Sequence, residues 1–83
     1  MTNVEQEKLL SMREILLTAI KREEEAYTFY ISARQCARTT TEEEMFTRLA
    51  AQEMQHKRAL EIQLEEIDSQ LESNPETTLG LIP

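Results

Sequence analysis

The sequence predicts an all-α protein: an antiparallel two-helix hairpin that pairs with a second copy of itself to make a four-helix bundle. Three observations carry that expectation. The 83 residues include one Gly, two Pro and no Trp, and 30% of them are charged, a composition that suits long exposed helices and not a sheet. Two long stretches carry apolar residues at helical intervals, and a single short polar run separates them.

Composition also bounds the partners. A chain of this length buries only a modest share of its surface, so firm stability calls for disulfides, a metal or partner subunits. Cys36 is the single cysteine, which rules out a disulfide framework, and no zinc-type Cys/His spacing occurs. The net charge of -7, with Lys and Arg scattered among carboxylates, argues against a nucleic-acid partner and favours cations. No apolar run reaches the length that crosses a bilayer, and Met1-Thr2-Asn3-Val4-Glu5-Gln6-Glu7 has neither the basic start nor the apolar core of a signal peptide. The expected location is the cytoplasm, with no membrane partner.

Helix one is expected over about residues 4–37, a stretch without Gly or Pro. Met12, Leu16, Ala19/Ile20, Ala26/Tyr27, Tyr30 and Ala33 follow one face. Asn3 with Gln6, or Ser11 with Glu14, are alternative starts. Glu23 falls within the apolar stripe, so a helix that buries the stripe must bury this carboxylate or bring a partner to it. A place at the edge of the stripe, in reach of water, is the blander alternative.

Arg38-Thr39-Thr40-Thr41 interrupts the pattern, and each Thr has a Glu three residues later, so any of the three is able to head a capping box. Helix two is expected over about residues 41–71. Its seam is Phe46, Leu49, Glu53, His56, Leu60, Gln63/Leu64 and Ile67, in steps of three and four. Two adjacent positions of that seam are polar. An ionised Glu and a His in a helix–helix seam cost several kcal/mol when unpaired, so a cation is one way to compensate them.

Residues 73–83 read as a linker and extended peptide, since Ser73-Asn74-Pro75 stops the helix and Gly80 and Pro83 discourage another. The domain is accordingly expected to end at residue 72. Leu79, Leu81 and Ile82 are unusual at a chain end, where packing back on the bundle is the bland alternative to a binding role.

Hairpin geometry ties the polar residues together. With a bend near Thr39–Thr40, Glu23 lies about 16 residues before it and His56 about 16 after, so at ~1.5 Å per residue both stand ~24 Å from the turn. Glu53 lies one turn nearer. Two helices leave such a site open on one side, whereas two hairpins about a two-fold axis enclose it and double each ligand. Two Glu23, two Glu53 and two His56 make four carboxylates and two imidazoles, the donor set of a di-iron carboxylate centre. Four carboxylates offset two divalent cations. Fe(II) or Mn(II) suits these donors, and Zn(II) competes by raw affinity.

The run Ala19-Ile20-Lys21-Arg22-Glu23-Glu24-Glu25-Ala26-Tyr27-Thr28-Phe29-Tyr30, followed by Phe46-Thr47-Arg48-Leu49-Ala50-Ala51-Gln52-Glu53-Met54-Gln55-His56, resembles one half of the ferritin-like, rubrerythrin-type di-iron fold. In that family the liganding Glu precedes an Ala by three and a Tyr by seven, as Glu23 precedes Ala26 and Tyr30, and Glu53 with His56 matches the Glu-x-x-His pair. The chain has one such pair where the full domain has two, and nothing resembling the four-Cys rubredoxin module. It is similar to the two-helix encapsulated ferritins, and Thr78-Leu79-Gly80-Leu81-Ile82 is similar to their C-terminal peptides for loading into encapsulin shells.

The resemblance implies a ferroxidase that oxidises Fe(II) at a di-iron site between two subunits, in a dimer or larger ring inside an encapsulin shell, with iron stored there. It implies Glu23, Glu53 and His56 as ligands and catalytic residues. Tyr27 and Tyr30 are then candidates to hydrogen-bond a ligand or donate an electron, beside their commoner role in packing. Two alternatives stand beside this reading: a rubrerythrin-like peroxide-reducing protein, and a non-catalytic dimeric helical adaptor. Cys36, Met12, Met45 and Met54 read as packing residues.

Overall fold

The computed structural model describes residues 3–73. Within them the chain is all-helical, with α1 over Asn3–Arg34 and α2 over Thr40–Ser73, packed against each other along their length as an antiparallel hairpin. Leu79, Gly80, Leu81 and Ile82 lie outside the described residues.

The turn explains where the helices stop. Backbone N–H groups of Gln35, Cys36 and Ala37 donate to the carbonyls of Ser32, Ala33 and Arg34 at 3.1, 2.9 and 3.1 Å, three-residue bonds that tighten the last turn into 3₁₀ form. Helix one was expected to run to 37; its α-helical part ends at Arg34 because these bonds replace the four-residue ladder. Thr39 is the cap among the three candidate threonines. Its Oγ1 accepts from the Glu42 N–H at 3.1 Å, and its carbonyl accepts the first helical bond, from Glu43 N–H at 3.0 Å. Glu42 reaches back in turn to accept from the Arg38 N–H at 2.8 Å. The usual capping box closes on the N–H of the capping residue itself; here it closes one residue earlier.

The inward face of α1 includes Leu9, Arg13, Leu16, Ile20, Glu23, Tyr27 and Tyr30, against Phe46, Leu49, Ala50, Glu53, Leu60, Leu64 and Leu71 of α2. Leu16, Ala50 and Leu71 are buried, and the other seam residues are half-covered. One expectation is corrected, and one pair of alternatives is decided. Met12 is 44% exposed, because it turns toward a flank of the hairpin that α2 leaves uncovered. Gln63 is exposed as well, and Leu64 takes the seam position.

Candidate metal centre

Glu23 arrives from the middle of α1 and Glu53 with His56 from the middle of α2. Glu53 and His56 are three positions apart, so they share a side of the helix. One ligand atom from each of Glu23, Glu53 and His56 lies within 4.8 Å of the other two. His56 Nδ1 stands 3.6 Å from Glu23 Oε2 and 3.7 Å from Glu53 Oε2. Both His56 separations exceed a direct hydrogen bond, so the imidazole stands close to the two carboxylates without pairing with either.

Burial is graded across the group. The Glu23 and Glu53 side chains are 23% and 18% exposed, whereas the His56 side chain is 61% exposed. His56 was expected in the seam between Glu53 and Leu60. It sits instead at the seam's edge, because Lys57, four residues after Glu53, takes the inward position. The buried Glu23 Oε2 has no hydrogen-bond partner. An orphaned carboxylate oxygen facing a second carboxylate and an imidazole fits a cation.

Electrostatics agree. The Glu53 carboxyl is held above its ordinary value, first by hydrogen bonding to the Glu23 carboxyl, then by desolvation and by the Glu23 charge, while His56 pulls it down. Two carboxylates brought together resist joint ionisation. A divalent cation removes that conflict by compensating both.

The hairpin has two unlike flanks. On one, Lys57 Nζ meets Glu24 Oε2 at 2.9 Å and Arg13 Nε donates to Asp68 Oδ1 at 2.8 Å. Arg13 is eleven residues before Glu24 and Asp68 eleven after Lys57, close to three whole turns on each helix, so both ion pairs close the same side. The spacing identifies the sites most readily missed in sequence: Glu24 and Lys57 each follow a site residue and stand at the same level. The other flank is where His56 emerges. Three turns toward the hairpin's open end from Glu23 and His56, by the same eleven-residue step, stand Met12 and Ile67, which line a groove of about 450 Å³ with Glu5, Lys8, Leu9 and Gln70.

Tyr27 and Tyr30 lie half-buried one and two turns beyond Glu23, and Tyr30 packs edge-on against Phe29 with ring centroids 5.5 Å apart. Cys36 is exposed in the turn. No helix among the described residues is long and apolar enough to cross a membrane.

The family model named Rubrerythrin matches residues 14–80, a span that includes Glu23, Glu53 and His56. No curated protein matches, and no solved structure does. With most of its length matched and a carboxylate/His cluster of the right donor types on its two helices, the chain belongs to the rubrerythrin family of ferritin-like di-iron proteins.

Proposed function

We propose that the protein is a ferroxidase of encapsulated-ferritin type, oxidising Fe(II) to Fe(III) at a di-iron site that two subunits complete. The observation that carries this reading is the convergence of Glu23, Glu53 and His56 from two helices, with the buried Glu23 Oε2 left unpartnered. One chain supplies two carboxylates and one imidazole, half of a di-iron donor set. The exposed His56 and the apolar groove at Met12 and Ile67 share one flank, and a second hairpin laid there covers both. The opposite flank is spanned by two ion pairs between the helices.

Fe(II) is the substrate. The carboxylates of Glu23 and Glu53 neutralise it and the His56 imidazole adds a borderline donor, a set that also accepts Mn(II) or Zn(II). Two Fe(II) give up one electron each, and those two electrons with two protons convert dioxygen to hydrogen peroxide. The same electrons and two protons convert hydrogen peroxide to two waters. The Glu23 and Glu53 side chains are only 23% and 18% exposed, so their carboxylates hold a cation more strongly than carboxylates in open water. The product Fe(III) passes to storage, since a bundle of this size has no interior for mineral.

The test is anaerobic loading with Fe(II) followed by oxygen. The wild-type chain is expected to oxidise iron well above the buffer rate, and Glu53→Ala/His56→Ala to fall to that rate. Oxidation no faster than buffer by the wild type contradicts the reading. Family membership favours a second use of the same site, peroxide reduction with an external electron donor; single-turnover rates with peroxide and with dioxygen separate the two.

Residues 79–83 belong to the proposal as a loading peptide for an encapsulin shell, which places the protein inside that compartment in the cytoplasm. Its support is the likeness of Leu79, Gly80, Leu81 and Ile82 to such peptides. Deleting 79–83 is expected to abolish co-purification with the shell and to leave iron oxidation unchanged. Undiminished loading refutes the targeting role.

A further inference from the structure

We propose that Lys57 is a positioning residue for the metal site: through its ion pair with Glu24 it sets the rotation of α2 against α1 at the level of Glu23, Glu53 and His56. The inference rests on the reading of those three residues as metal ligands. Lys57 follows His56 directly and lies four residues after Glu53, so any roll of α2 that moves its side chain moves both ligands. Glu24 is bonded in sequence to Glu23 in the same way on α1.

The side chain is built into the interface. Lys57 is 21% exposed, far less than His56 beside it, while its ammonium reaches Glu24 Oε2 at 2.9 Å. Its aliphatic stem therefore lies along the seam with the charge at the edge. The need for such a latch comes from the site. Glu23 and Glu53 repel each other when both are ionised, and that repulsion acts to part the helices at one level. Lys57 and Glu24 attract across the helices at that level. The Arg13–Asp68 pair closes the same flank, but three turns away, too far to govern the ligand spacing.

Co(II) is the probe, because it is stable in air-free buffer and its visible spectrum reports ligand geometry. Lys57→Met and Glu24→Gln are expected to keep the helical content of the wild type. Both should bind Co(II) about three- to tenfold more weakly, a smaller loss than the 10–100-fold typical of groups hydrogen-bonded to a ligand, and with an altered visible spectrum. Lys57→Arg, which keeps a cation within reach of Glu24, should restore affinity and spectrum. Arg13→Met should lower thermal stability and leave the Co(II) spectrum unchanged. For Lys57→Met a charge effect without positioning has the opposite sign, since removing the cation then tightens Co(II) binding; Glu24→Gln is read by its spectrum, because losing that carboxylate weakens Co(II) binding by charge alone. Wild-type or tighter binding with an unchanged spectrum in Lys57→Met overturns the proposal. Absence of Co(II) uptake by the wild type overturns it too, along with the metal reading beneath it, and is distinguished by that control alone.

Discussion

Glu53 carries the clearest pH signature of the metal-free protein. Its carboxyl is raised in the folded state above the ordinary 4.5, with Glu23 hydrogen bonding the first cause, so the folded chain holds this proton more tightly than the unfolded one. Stability therefore gains from Glu53 as pH falls from neutral through the raised value, and that gain is lost as pH rises. Metal binding at the proposed site runs the other way, because a carboxylate must be deprotonated to act as a ligand. Thermal unfolding in chelator at pH 7 and pH 5 is expected to show a larger gain at pH 5 for the wild type than for Glu53→Gln. Equal gains contradict the coupling. In the presence of metal the order reverses, with stabilisation by the cation shrinking toward pH 5.

At the scale of the helices, the turn is held by a few named bonds. Thr39→Ala removes the oxygen that accepts from Glu42 N–H and is expected to cost about 1 kcal/mol. Breaking Arg13–Asp68 costs about 0.2–1 kcal/mol, because both side chains remain partly in water. Denaturant unfolding of Thr39→Ala and Asp68→Ala measures both, and the cap should prove at least as costly as the ion pair. Helical periodicity made α1 and α2 legible in the sequence. Counting residues from the bend brought Glu23, Glu53 and His56 to one level, where the structure places them. What periodicity left open was rotation: His56 and Lys57 both satisfy a three- or four-residue step from Glu53, and only packing decides that Lys57 turns inward. Met12 failed as a seam residue for the same reason, lying on the flank that one hairpin leaves bare. The tightening of the chain after Arg34 has no marker residue, neither Gly nor Pro.

The whole hairpin is a rod. Its radius of gyration is 18.3 Å and its longest dimension 59 Å, against roughly 12 Å expected for the radius of gyration of a compact domain of this size. With only Leu16, Ala50 and Leu71 buried among the described residues, a lone hairpin has too small a core for a cooperative fold. Association should supply the rest. The melting temperature is accordingly expected to rise with protein concentration, and a flat dependence contradicts a dimer of the kind proposed. Met12→Glu, on the His56 flank and remote from the ligands, is expected to lower the dimer fraction and with it iron oxidation by about tenfold or more, at unchanged helical content. Sedimentation and oxidation rates on one sample check both effects.

Under the proposed function each chain holds half a site. An anaerobic Fe(II) titration followed by sedimentation velocity tests it most directly. Saturation is expected at one iron per chain, two per dimer, with bound iron found in the dimer or a larger species and lost together with it in Glu53→Ala/His56→Ala. Iron bound to a monomer, or no iron bound at all, contradicts it.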